Sequence, residues 1–187
     1  MYRGSRHRRF WSPLLTLVGV MGLCGYGVIA AMSADPLWFL GWTAMPDPER
    51  IVISAAGEEI VLTDDASAYG PMVDATRRSL SAFSNLAPLS AGLGEEALEA
   101  HRRRGVVIEL TFREPVDFHL PFNDGRPTAL LILAEGGDGE RGYVFRGRGG
   151  AWWSGQMCMR DSQPLLNTLA RLGYTQQEIR GQGDLDD

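Results

Sequence analysis

The chain contains no lysine, because all 18 of its basic residues are arginine. This excludes chemistries that need a lysine side chain: the phosphate-binding lysine of a P-loop, the Schiff-base lysine of a cofactor enzyme and the Ser-x-x-Lys nucleophile pair. Only two cysteines occur in 187 residues. Cys24 lies inside an apolar run and Cys158 in the polar body, so we do not expect them to meet, and the chain is not a disulfide scaffold.

Motifs of catalysis and metal binding are also missing from the sequence, including HExxH, CxxC, an acidic calcium loop and a G-x-S-x-G elbow. Residues 137–142 satisfy G-x-G-x-x-G, but they join two predicted strands and carry two acids, which is typical of a loop. Met157-Cys158-Met159 offers soft ligands for Cu(I), yet a strand would direct only the two methionines to one face, which favours packing. We therefore predict no catalytic residues, no metal, no cofactor and no enzymatic activity.

Charge is distributed unevenly along the chain. Residues 1–34 hold four arginines and no acid, whereas the rest holds 14 arginines against all 23 acids, a net charge of −9. An acidic body disfavours nucleic acid as a partner, since contacts to phosphate dominate that affinity. The basic end therefore calls for a different explanation, at a membrane.

The longest uncharged stretch predicts a single transmembrane helix over residues 13–34. Its 22 residues, at about 1.5 Å each, span about 33 Å and match a hydrocarbon core of about 30 Å. Basic and aromatic residues flank it: Arg3, Arg6, Arg8, Arg9 and Trp11 before it, and Trp38 and Trp42 after it. Since the arginines precede the run and the acids follow it, we expect a single-pass protein of the inner membrane with a cytoplasmic N-terminus and a periplasmic C-terminal domain.

A cleaved signal peptide is the alternative explanation of the same stretch. Ala31 and Ser33 place small residues just before Ala34, as a signal peptidase requires, but the apolar run exceeds the usual ~7–15 residues of a cleavable signal. We therefore favour a retained anchor. The predicted segments are a basic cytoplasmic segment 1–12, the transmembrane helix 13–34, an interfacial linker 35–48, an extracytoplasmic domain 49–174 and a flexible acidic tail 175–187.

Alternating apolar residues predict an antiparallel sheet in the domain. The expected hairpins pair residues 50–53 with 60–62, 106–112 with 116–120, and 143–146 with 151–154. Residues 129–133 are apolar on both faces, which predicts a central strand. Helices are expected near Pro71, over residues 95–104 and over residues 164–172. The fold class is therefore α+β: an N-terminal transmembrane helix, then a sheet of hairpins packed with two or three helices, which cover one face.

The segment Pro48–Thr63, the helix after it and the sequence GVVIELTFREPVDFHLPF resemble small membrane-anchored domains of GC-rich bacteria. The resemblance spans residues 48–172 and depends on strands and turns. It implies the architecture and brings no function with it.

Basic and aromatic side chains alternate on the third hairpin, at Arg141, Tyr143, Arg146, Arg148, Trp152 and Trp153. Arginine and tryptophan are enriched at binding hot spots, although one of two adjacent tryptophans on a strand should point into the core. His119, between Phe118 and Leu120, is expected on the polar face of its strand. We predict an extracytoplasmic accessory protein that docks on another membrane or envelope protein. The alternative is a sensor domain for a small ligand or metal.

Overall fold

The computed structural model describes residues 6–40, 43–55, 57–86, 93–135 and 142–174. These residues form two compact units. The first, the helix unit, contains the described residues up to position 40 together with residues 119–124, and the second, the body, contains the rest.

One long helix dominates the helix unit. Helix α1 covers Arg6–Ser33, and its segment Pro13–Ser33 has a mean hydropathy of 2.0 with none of its apolar window buried. This single N-terminal helix is compatible with a membrane anchor or a signal sequence. A 3₁₀ turn, Trp38–Leu40, follows it.

The body is built on an antiparallel sheet. Its strands are β1 Arg50–Ala55, β2 Glu58–Leu62, β3 Phe83–Leu86, β4 Val106–Thr111, β5 Ala129–Glu135, β6 Tyr143–Arg148, β7 Ala151–Trp152 and β8 Met157–Met159. Seven of them follow the order β2-β1-β4-β5-β6-β8-β3, and β7 pairs with β6. The helices are α2 Tyr69–Ser79, α3 Glu95–Arg104 and α4 Gln163–Arg171. The predicted α+β class, with an apolar N-terminal helix and an antiparallel sheet, is confirmed.

Both faces of the sheet are buried, whereas the sequence pattern predicts one covered face. Under α3, a cluster of Leu98, Val107, Leu131, Leu133 and Phe145 fills the first face. The opposite face carries side chains that are also fully buried, at Ile51, Ile53, Ile108, Leu130 and Ile132. Helices α2 and α4 pack on each other, and each carries buried residues.

The predicted second hairpin is wrong. Strand β4 pairs with β1 on one edge and with β5 on the other, so neither edge is open to residues 116–120. These residues form no strand; Asp117 makes an isolated bridge with Ala44, in which the two backbone N–H···O bonds measure 2.7 and 3.1 Å. Val116 and Phe118 are nevertheless buried, which explains the alternating pattern without a strand.

The first and third hairpins and the central strand are confirmed. β1 pairs with β2, β6 pairs with β7, and β5 lies between β4 and β6. The turn from β6 to β7 uses Gly149 and Gly150, both at positive φ, a region that glycine enters without steric cost. Met157 and Met159 are buried on β8 while Cys158 is half-buried, as the alternation predicted.

Candidate functional site

Most described side chains of the predicted interaction hairpin make contacts within the body. Arg141 lies outside the described residues. Tyr143 and Trp152 pack against the apolar cluster beneath α3. Arg146 is buried on the other face of the sheet, where its Nη2 donates a hydrogen bond of 3.2 Å to the carbonyl oxygen of Gly155. These three side chains therefore stabilise the body.

The remaining two members of the hairpin hold a neighbouring loop. The Trp153 ring lies against the backbone of Gly125, so close that a Cβ there would come within 2.6 Å of the ring. Arg148 donates from Nη2 to the carbonyl oxygens of Arg126, at 2.6 Å, and Gly125, at 3.3 Å. Both tryptophans are half-buried, and Trp152 packs against the apolar cluster, as expected for one of two adjacent tryptophans on a strand.

Close packing of Trp152 on β6 gives a direct test of this arrangement. A Cβ on Gly147 would lie 2.5 Å from the carbonyl oxygen of Ala151 and 2.6 Å from the Trp152 ring, so Gly147→Ala should lower the free energy of unfolding by about 1–3 kcal/mol. The measurement is urea unfolding of the full chain in detergent, followed by tryptophan fluorescence.

Gly70→Ala is the matched control for that substitution. Gly70 lies in α2, and a Cβ there meets no atom within 4 Å, so alanine should raise the free energy of unfolding by up to about 1 kcal/mol. Equal unfolding midpoints for the two variants would contradict the packing of Trp152 on β6.

A large cleft beside α2 is acidic. It encloses about 610 Å³ and is lined by four carboxylates and two guanidiniums, at Asp47, Glu49, Asp64, Asp74, Arg77 and Arg113. Both arginines form exposed ion pairs across its wall, Arg77 with Asp47 at 2.8 Å and Arg113 with Glu49 at 3.3 Å. The surplus of carboxylates gives the cleft a negative potential, which favours a cation.

Tyr69 is a neutral polar residue in the lining of this cleft. Its hydroxyl donates to the carbonyl oxygen of Pro48. Burial raises the pKa of Tyr69, and the charges of Asp47 and Asp64 raise it further. The phenol is therefore held as a hydrogen-bond donor, with no character of a base at neutral pH.

A smaller groove of about 270 Å³ separates α3 from β1 and β4. Arg102 is held there by Glu109 of β4 and by Glu99, at 3.8 Å, of its own helix. The hydrogen bond to Glu109 is the main cause that raises the pKa of Arg102. Arg102 thus ties the helix to the sheet, in keeping with a structural role for the arginine run at the end of α3.

His119 is not on a strand, so its predicted place on a polar strand face is wrong. Its backbone takes a positive φ of 46°, which breaks the alternation, and its side chain is only 10% exposed. Within the helix unit its Nδ1 lies 2.8 Å from Oδ2 of Asp35. The signal that sequence reasoning missed is Asp35 itself, a charge placed directly after the apolar run.

The chain reverses direction after α1 in a segment that we call the hook, residues 34–40. Ala34 has a positive φ of 55°, and Oδ1 of Asp35 accepts a hydrogen bond of 2.7 Å from the backbone N–H of Leu37. The Tyr26 hydroxyl donates to the carbonyl oxygen of Pro36 at 2.8 Å, and the rings of Tyr26 and Phe39 meet edge to face at 6.1 Å. The hook therefore returns alongside the helix.

The predicted membrane-flanking residues fall at both ends of α1. Arg6, Arg8, Arg9 and Trp11 lie in its first turns, Trp11 with an exposed side chain. Trp38 begins the 3₁₀ turn of the hook. Arg3 and Trp42 lie outside the described residues.

Clustered metal ligands are not found in the described ranges, where no three His, Cys, Asp or Glu side chains are placed to hold a metal ion. The absence of a metal and of a cofactor stays a prediction. No family model, curated protein or solved structure matches the chain.

Proposed function

We propose that the protein is a single-pass protein of the bacterial inner membrane, whose body works on the periplasmic side as a non-enzymatic accessory subunit. The observation that carries the proposal is the surface of α1. None of its apolar window between Pro13 and Ser33 is buried. Apolar area in water costs about 25 cal/mol per Å², so a helix of this length with no protein cover is stable in a bilayer and unfavourable in water.

The end of α1 supports a retained anchor over a cleaved signal. The helix continues through the small residues Ala31 and Ser33, and Ser33 is buried. Its hydroxyl, which has a single hydrogen to donate, lies within hydrogen-bond reach of the carbonyl oxygens of Ile29, at 2.9 Å, and Asp35, at 3.1 Å. The bond to Asp35 ties the end of the helix to the residues that follow it, which favours a segment that stays attached.

Charge on the two sides of the helix supports the orientation. Four arginines and no acid lie before residue 35, and acids follow at Asp35, Asp47 and Glu49. Positively charged flanks stay on the cytoplasmic side, so this distribution favours a body on the outer side.

Docking on another membrane or envelope protein is the role that we propose for the body. Among the described residues, strand β2 is the last strand at one side of the sheet and pairs with β1 alone, so one row of its backbone groups has no strand partner there. Val61 lies on this strand, half exposed, and is the one exposed large apolar side chain among the described residues of the body. The edge of β2 is therefore a better docking surface than the third hairpin, whose described side chains are engaged within the body.

Fractionation and partner analysis test the proposal together. We expect the chain to stay in the membrane pellet after alkaline carbonate extraction, to begin upstream of Ala34, and to lose its body to protease added outside spheroplasts. In mild detergent it should elute with a second protein in fixed stoichiometry. A chain that begins at Ala34 or Asp35 and is released by carbonate would contradict the anchor; a bare monomer in detergent would contradict docking alone.

A sensor domain is the second candidate function, and the acidic cleft beside α2 favours it. Four carboxylates and a neutral phenol surround a space large enough for a small cationic ligand. Stoichiometric metal in protein purified without chelator would favour this candidate over docking.

A further inference from the structure

We propose that the hook does not leave the bilayer after α1 but lies in the interfacial layer of the outer leaflet, beside the last turns of the helix, in direct contact with lipid. The inference rests on the proposed membrane span. The hook would be a second element in contact with lipid, after α1. Its position would set the depth in the bilayer from which the chain passes into water.

The depth of the hook follows from its contact with Tyr26. Tyr26 lies seven residues before Ser33, which ends the helix, so its Cα is about 10 Å below that end along the axis. Side chains of a helix tilt toward its N-terminus, so the ring of Tyr26 reaches no higher than its own turn. Pro36 and Phe39 both contact this side chain and therefore lie beside the helix, within the length of the span.

Several backbone polar groups of the hook have hydrogen-bond partners within the chain, which lowers the cost of placing them where water is scarce. The N–H of Leu37 donates to the Asp35 carboxylate, and the N–H of Leu40 donates to the carbonyl oxygen of Leu37 at 2.9 Å. The carbonyl oxygens of Asp35 and Pro36 accept hydrogen bonds from the hydroxyls of Ser33 and Tyr26. These bonds stay intact without water.

The outward surface of the hook is apolar and uncharged. Leu37, Phe39 and Leu40 are exposed, and Asp35, its one charged residue, faces Nδ1 of His119 and the N–H of Leu37. Aromatic and leucine side chains at the end of a span are typical of the membrane interface. This surface continues the apolar surface of α1 without a charged break, so we assign lipid as its occupant.

Depth-dependent quenching tests the assignment on the full chain in phosphatidylcholine–phosphatidylglycerol vesicles. In a background of Cys24→Ala and Cys158→Ala, single cysteines at Leu40, Met32 and Val61 carry an environment-sensitive fluorophore. Position 40 is the test site. Val61 is its matched control in the body, because the two side chains are similarly exposed, at 50% for Val61 and 46% for Leu40. Lipids brominated near the headgroup end of the acyl chain should quench the fluorescence of the label at position 40 to the same extent as at position 32. Quenching at both positions should exceed that at position 61 by at least about twofold.

Each other outcome has a distinct meaning. If position 32 is quenched and position 40 behaves like position 61, the hook lies in water and the inference is wrong, although the anchor stands. A label at position 40 that is quenched neither by the brominated lipid nor by iodide, a quencher dissolved in the water, would mean that protein covers the hook. That result would also overturn the inference. If position 32 is not quenched, the anchor itself fails. Tyr26→Ala, which removes both contacts to the hook, should lower quenching at position 40 and leave position 32 unchanged.

Discussion

Leu23→Arg will lower membrane insertion of the chain about 100-fold, while Met32→Arg will leave it nearly unchanged. An arginine at the centre of a spanning helix costs about 2.5–3.5 kcal/mol, whereas near the end its long side chain reaches the headgroups. The two residues have the same exposed fraction, 71%, so only their depth differs. The carbonate-resistant fraction of each variant, compared with the unchanged chain, is the measurement.

Equal behaviour of those two variants would count against a spanning helix. Insertion unaffected by either arginine would mean that α1 does not lie across the bilayer. Loss of insertion in both would place Met32 deep in the hydrocarbon, which disagrees with a span that ends at Ser33.

Truncation of neighbouring side chains on β5 will destabilise the body from both faces of the sheet. Leu131 and Ile132 are adjacent, point to opposite faces and are both fully buried. Either residue changed to alanine should lower the free energy of unfolding by about 2–5 kcal/mol, through lost apolar contact and the cavity left behind. Urea midpoints of the full chain in detergent give the comparison.

Val61→Ala provides the control, because Val61 is exposed at the edge of the sheet and its truncation should cost less than about 0.5 kcal/mol. A large loss for Leu131→Ala with a small loss for Ile132→Ala would mean that only the face beneath α3 is covered. That result would restore the single covered face expected from sequence.

Local patterns in the sequence were enough for the elements whose partners lie close along the chain. The hairpin of β1 with β2 and that of β6 with β7 each follow from two strands around a glycine turn. Helix α1 follows from its uncharged length, and α3 from acids at its start and arginines at its end.

Long-range pairing explains the failures. β4 lies between β1 and β5, and the burial of Val116 and Phe118 in a non-strand segment imitates strand alternation. No local pattern in the sequence specifies these neighbours. The contact of His119 with Asp35 is of the same kind, since it joins residues 84 positions apart.

The third hairpin shows the limit of composition as a guide to a site. Its arginines and aromatic rings suit a binding surface, but carbonyl oxygens of the body's own loops also accept hydrogen bonds from guanidiniums. Arg146 and Arg148 are used in this way, on Gly155 and on Gly125 with Arg126. Residue type indicates that these side chains form polar contacts, but it does not indicate whether the contacts are made to another molecule or within the chain.

The pairing of His119 with Asp35 also orders events during biogenesis. Asp35 leaves the ribosome 84 residues before His119, so at about 5–20 residues per second the C-terminal end of α1 waits roughly 4–17 s for its partner. Throughout that interval the nascent chain carries the apolar helix without the imidazole contact at Asp35. A translation product that stops upstream of residue 119 therefore never gains the imidazole partner of Asp35.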